Sequence, residues 1–163
     1  MTDIPRHIEA FWIAFLASPS APNDANERFY ESFRIGLADK DAETGAKLIL
    51  SKQKTTTSSL LWEYESSSKA LPLLGNLSVV ENGRGAPVCV VQTTWIETIR
   101  FDDIDAQFAF EYGEGDRTLE GWRKMFWSYY SNACEALGRE MSPDTPLVCE
   151  RFVVIFPQPY ATA

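Results

Sequence analysis

Histidine is almost missing from this 163-residue chain. His7 is the only one, so neither a His-based metal site nor a Ser–His triad is expected within it. Cysteine is scarce too. Cys89, Cys134 and Cys149 are odd in number and widely spaced, which argues against a disulfide framework or a zinc clip and predicts reduced, buried thiols. No apolar run approaches the ~20 residues that cross a bilayer, so no membrane partner is expected. The start, Met1-Thr2-Asp3-Ile4-Pro5, lacks the basic and then apolar pattern of a secretion signal, which points to the cytoplasm. Positive charge is also short: 15 Lys and Arg against 23 Asp and Glu give a formal net charge of −8. Tight non-specific binding to a long nucleic acid needs many cations on phosphates, and DNA is not an expected partner.

What is present is apolar and aromatic content, 45% and 13%, spread along the chain. That suits one compact domain over 1–163. Ile8, Phe11, Trp12, Phe15 and Leu16 fall on one helical stripe, predicting a helix over 5–17 that the Ser18–Pro22 stretch ends. A short helix is expected after Asn23, with Phe29 and Phe33 one turn apart, and a third from Asp39, as N-cap, to about Ser51. Thr55 to Ser59 is poor helix material and predicts a strand or extended loop. Leu77–Val80 and Val88–Ile99 read as a hairpin around Asn82-Gly83-Arg84-Gly85, and Leu147–Phe156 as a last strand. Asp102 or Asp103 is expected to cap a short helix around Ile104–Phe108. Thr118 should precede a longer helix near 119–137, with Gly138 at its C-terminal end. The fold class is α+β.

Three segments carry polar chemistry. In Lys54-Thr55-Thr56-Thr57-Ser58-Ser59 a lysine stands three residues before a hydroxyl, and it becomes a base only if burial or a nearby cation such as Lys52 lowers its pKa. The alternative is an ordinary strand start. Gly113-Glu114-Gly115-Asp116 holds a carboxylate between two glycines that free the backbone to approach a ligand, while Asp116 caps the next helix or binds. Glu111, Glu114 and Asp116 together make a hard divalent cation conceivable. In Cys149-Glu150-Arg151-Phe152, Arg151 faces away from its two neighbours and either binds an anion or pairs with an internal acid such as Glu114. Trp62, Tyr64, Trp122 and Trp127 could stack a base, although Trp122, Phe126 and Tyr130 at i, i+4, i+8 spacing read as core.

At these segments the chain resembles bacterial ASCH-domain (activating-signal-cointegrator homology) proteins. The resemblance rests on Lys54 through Trp62, on Gly113 through Leu119 with Trp122-Arg123, and on Cys149 through Phe152, in that order. It implies a PUA-like small mixed β-barrel flanked by helices, with RNA or a small nucleoside as partner; the expected assembly is a monomer or homodimer. It also implies a hydrolase that acts in one of two ways. One is cleavage of single-stranded RNA as a ribonuclease, helped by a divalent metal such as manganese or magnesium but with no obligatory cofactor. The other is amidohydrolase removal of the acetyl group from acetylcytidine. Lys54 and Thr57 match the family's Lys-x-x-Thr pair, and Glu114, or else Glu111, matches its acid. Ser58, Ser59, Trp62, Asp116, Arg123 and Arg151 then fall to substrate contacts. No residue is assigned to a resident metal. The chain departs from the pattern at Lys52, Tyr112 and Phe126, where the subgroup usually has Gly, Glu and His.

Overall fold

The computed structural model describes residues 2–158. In chain order the elements are α1 (Glu9–Leu16), α2 (Ala25–Arg28), β1 (Phe29–Phe33), α3 (Asp39–Leu50), β2 (Thr56–Leu60), α4 (Leu61–Ser67), β3 (Leu77–Glu81), β4 (Pro87–Arg100), α5 (Ala106–Tyr112), α6 (Leu119–Ala136) and β5 (Pro146–Phe156). Single 3₁₀ turns precede α1, at Arg6–Ile8, and α5, at Phe101–Asp103. The strands form one five-stranded sheet in the order β1-β3-β4-β5-β2. β1 and β3 run parallel, while β3 with β4 and β2 with β5 run antiparallel.

The fold class is therefore mixed α+β, as expected, but the expected closed barrel does not form. The order is linear, with β1 and β2 at the two edges among the described residues. Three further expectations are corrected. Phe29 and Phe33 lie in strand β1 rather than in a helix, because residues four apart share a face in a strand as well as in a helix. The cap before Ala106 is Asp105, not Asp102 or Asp103: its Oδ1 accepts from the Phe108 N–H at 2.8 Å, while Asp102 and Asp103 sit inside the 3₁₀ turn. Asp39 is the first residue of α3, and Asp41 is the acid that reaches back, accepting from the Ala38 N–H at 3.3 Å.

The chain groups into two compact units. The first comprises residues 1–52, 74–94 and 152–163. One core in it gathers Ile8, Trp12 and Phe15 from the N-terminal helical segment with Phe29, Leu77, Val79 and Val90 from the strands. A second sets Ala46 and Ile49 of α3 against Val80, Cys89, Val91 and Phe152. The indole N–H of Trp12 donates to Asn26 at 2.9 Å, so the large ring is buried with its polar atom satisfied. His7 meets Glu81 at 3.1 Å, and the same carboxylate accepts from the Ser32 hydroxyl.

The second unit comprises residues 53–73 and 95–151. Its core joins Phe108 and Tyr112 of α5 with Trp122, Phe126, Tyr130 and Cys134 of α6 and with Leu60, Leu147 and Cys149 of the strands. The spacing of 122, 126, 130 and 134 lays one stripe of α6 inward, so the reading of these aromatics as core holds. Thr118 caps α6, accepting from the Gly121 N–H at 3.0 Å. Gly138, at φ +70°, closes the helix with the Arg139 N–H donating to the Cys134 carbonyl at 2.9 Å. All three cysteines are free and buried, and burial pushes the Cys89 and Cys149 thiols up to about 12. No helix among the described residues is long and apolar enough to cross a membrane.

Candidate functional site

The polar cluster that the sequence singles out lies within the second unit. The segment leading into β2 is stitched to the end of α5 by several hydrogen bonds. The Thr55 N–H donates to the Glu111 carbonyl at 2.8 Å, the Gln53 side chain to the Gly113 carbonyl at 2.9 Å, and the Thr56 hydroxyl to the Phe108 carbonyl at 3.2 Å. That stitching requires a glycine at 113. Its φ is +75°, and a Cβ there would stand 2.5 Å from the Gln53 carbonyl oxygen. Gly113 thus lets two backbones touch and turns Glu114 toward the lysine.

Lys54 is 1% exposed. Its Nζ donates to the Thr56 carbonyl at 2.8 Å and the Tyr112 carbonyl at 3.3 Å, and it meets Glu114 Oε2 at 2.7 Å. It also lies 3.4 Å from the centroid of the Tyr112 ring. An ammonium has three protons, and here each has an acceptor. Burial nevertheless dominates its titration. Desolvation lowers the Lys54 pKa from 10.5 to about 8, with Glu114 opposing the shift. Glu114 is the partly exposed member of the pair, its side chain 21% accessible. The cluster is therefore a buried amine joined to a carboxylate that solvent can reach.

Thr57 is the second residue of β2, opposite Glu150 of β5. The Lys54 amine does not bond its hydroxyl. Instead the Thr57 side chain acts on the Tyr112 phenol, opposing the rise in its pKa, and the ring of that tyrosine lies beside the amine. The phenol also accepts from the Ser58 N–H at 3.2 Å and lies 3.1 Å from the Ser58 hydroxyl, which in turn lies 2.6 Å from the Tyr130 hydroxyl. β2 is an edge strand, so the phenol takes the place of a missing neighbour strand for that N–H. Burial raises the pKa of both phenols, so they stay neutral and serve as hydrogen-bonding groups.

The other expected contacts are dispersed. Arg151 pairs with Glu111 rather than with Glu114, and its guanidinium lies 5.3 Å from the Trp95 ring centroid. Asp116 binds the following turn: its Oδ1 accepts from the Thr118 N–H at 2.9 Å and the Thr118 hydroxyl at 2.7 Å, and these bonds lower its pKa. Arg123 donates to the Asp102 carbonyl at 3.1 Å. Ser59 sits opposite Val148 in the sheet, and Trp62 lies on α4 beneath the Arg139 guanidinium at 4.4 Å. The acids of the loop do not converge as a metal donor set: Glu111 holds Arg151, Glu114 holds Lys54 and Asp116 holds Thr118. No group of three or more His, Cys, Asp or Glu among the described residues could hold a metal ion. The residues present do not fit a resident manganese or magnesium.

Sequence reasoning treated Tyr112 as a departure and Tyr130 as core, and so missed the hydroxyl chain that they build with Ser58. Helical spacing places their rings; it carries no signal for where a phenol oxygen ends up. The departures at 112 and 126 turn out to touch, their rings packed edge-to-face at 4.8 Å. The third departure, Lys52, has a left-handed backbone with φ +67°, the conformation that a glycine adopts without strain.

Comparison with known proteins bears on the family and the fold. The ASCH-domain family profile matches residues 31–156. The crystal structure of an ASCH domain from Lactobacillus crispatus JV V101 is similar over 95% of this chain and 98% of its own, with a TM-score of 0.85 and 27% identity. Protein EF3133 from Enterococcus faecalis V583 shares the fold at TM-score 0.78 and 23% identity, over 92% of this chain and 88% of its own. The hypothetical protein PH0355 shares it more loosely, at TM-score 0.51 and 15% identity, over 78% of this chain and 98% of its own. No curated protein matches. With a profile that spans most of the chain and an ASCH crystal structure aligned along nearly all of it, this chain belongs to the ASCH-domain family.

Proposed function

We propose that the second unit carries a hydrolytic site for single-stranded RNA or an acetylcytidine-type nucleoside, worked by Lys54, Glu114 and Thr57. The observation that carries this reading is the buried Lys54 amine, its pKa lowered to about 8, bound at 2.7 Å to a carboxylate that solvent can reach. An ordinary surface lysine is protonated far above neutrality and cannot serve as a base; one near 8 has a useful neutral fraction. Neutral Lys54 accepts the proton of the attacking hydroxyl. For an acetylated base that hydroxyl is Thr57, which takes the acetyl group as an ester that water then hydrolyses; for RNA it is the ribose 2′-OH, which attacks the phosphorus and expels the 5′-oxygen to leave a 2′,3′-cyclic phosphate. Glu114 exchanges protons with Lys54 and returns one to the leaving group. ASCH proteins resemble PUA-like folds, which are associated with RNA binding, and the family membership supports that class of ligand.

A second reading, a non-catalytic binding module, draws on a specific observation as well. The three acceptors around the Lys54 ammonium satisfy it completely, as in a fixed structural charge. The two readings separate in a turnover assay. Purified protein is incubated with acetylcytidine and with single-stranded RNA, with and without manganese, across pH 6 to 9. The hydrolase reading expects turnover whose rate climbs with the neutral fraction of Lys54 and levels above about pH 8. It also expects Lys54→Met and Glu114→Gln each to lose roughly 100-fold in kcat, in line with general acid–base contributions. Wild-type protein that consumes neither substrate, or a Lys54→Met variant as fast as wild type, overturns it.

A further inference from the structure

The second unit also has a cleft that the Lys54 cluster does not use. Trp62, Glu65 and Ser66 sit on one face of α4, at i, i+3 and i+4, and form one wall. Leu137 and Arg139, at the end of α6, form the other. The space between is about 280 Å³. That is near the lower bound of small-molecule sites, ~300 Å³, and suits one nucleotide-sized group rather than a folded partner. Trp62 packs against the core of the unit, and the Arg139 main chain is held by its N–H bond to the Cys134 carbonyl at 2.9 Å.

The chemistry of this cleft is specific. The Arg139 guanidinium stacks 4.4 Å from the Trp62 ring centroid, and its acid partner Glu65 stands 3.9 Å away with both side chains about half exposed. So loose an ion pair in solvent is weak and leaves the guanidinium free to rebind. A planar cation on an indole offers a π-face for a base and forked N–H groups for a phosphate, the pairing used to hold single strands. Position supplies the rest. Lys54 precedes β2 and Trp62 follows it, and the four steps from Thr56 to Leu60 span about 13 Å at ~3.3 Å each. A single nucleoside does not reach across that length.

We infer that the Trp62–Arg139 cleft binds a nucleotide flanking the one at Lys54, which makes the substrate a short single-stranded RNA rather than a free nucleoside. This rests on the reading of the Lys54 cluster as a nucleic-acid-directed site. The test uses fluorescence anisotropy with an end-labelled hexaribonucleotide whose 2′-hydroxyls are methylated, so that binding is read without internal cleavage. Arg139→Gln is expected to weaken binding about 10-fold and to reduce the salt dependence by about one phosphate contact. Trp62→Leu is expected to weaken binding to a similar degree, with circular dichroism confirming that it folds. An Arg139→Gln variant that binds the hexamer as tightly as wild type, with the same salt slope, overturns the inference. So does wild-type protein that binds cytidine as tightly as the hexamer. The two proposals fail separately. Arg139-dependent binding by a protein that hydrolyses nothing defeats the hydrolase alone; turnover of acetylcytidine with hexamer binding indifferent to Arg139 defeats the flanking site alone.

Discussion

Tyr112 touches more of the site than any residue the sequence motifs name. Its carbonyl and ring face Lys54, while its hydroxyl serves Thr57 and Ser58. These two functions separate in one substitution. Tyr112→Phe keeps the ring beside the amine but strips the Ser58 N–H of its partner on an edge strand, a loss worth about 1–3 kcal/mol for a buried donor. Urea denaturation should show that loss, while the Lys54 titration, followed by NMR of the amine, should stay near 8. A stable Tyr112→Phe protein would mean that the phenol is not holding the strand. Lys54 and Glu114 were legible from the motif, because a lysine before a run of hydroxyls and an acid between glycines are local patterns. Their direct contact was not, since no local pattern states which segments meet. Nor could sequence show that Arg151 would pair with Glu111, as two acids three residues apart were equally eligible.

Among the elements, α5 carries the site with only seven residues, from Ala106 to Tyr112. So short a helix depends on its ends. At the C-terminus Gly113 makes the turn, and at the N-terminus Asp105 accepts from the Phe108 N–H. Asp105→Ala should therefore cost about 1 kcal/mol of stability, the typical worth of an N-cap. Asp103→Ala, which removes only an exposed pair with Arg100, should change stability by less than about 0.5 kcal/mol. Equal losses in chemical denaturation of the two variants would contradict the capping assignment. The sequence reading offers Asp102 or Asp103 and passes over Asp105, although all three are good caps. The decision falls to the 3₁₀ turn at Phe101–Asp103, which tucks Phe101 into the core. The β1 segment misled for a related reason: its two phenylalanines suit either period, and the deciding partner is the parallel strand β3, more than forty residues away.

At the scale of the whole molecule, charge and topology are the two governing facts. The formal charge of −8 sets a ceiling on how much RNA the protein holds, because each nucleotide beyond the bound ones adds repulsion without a new contact. Affinity should rise from a mononucleotide to an oligomer of a few nucleotides and then stop. A 20-nucleotide strand should bind no tighter per site than a hexamer in an anisotropy titration. Steady gain with length would reveal an extended basic track. The helices and strands of the fold were largely readable from periodicity, but the closure of the sheet was not. Whether a sheet becomes a barrel depends on which edges pair, and here β1 and β2 stay at opposite ends of the order.

The stitch between Thr55 and Glu111 has a practical consequence. One backbone proton sits at the seam where two distant stretches of the polymer meet, beside the amine and its acid. Its exchange with deuterium is a stopwatch for that seam: the proton leaves only when the stretches part, and when they part the amine loses its seclusion and regains the basicity of free lysine.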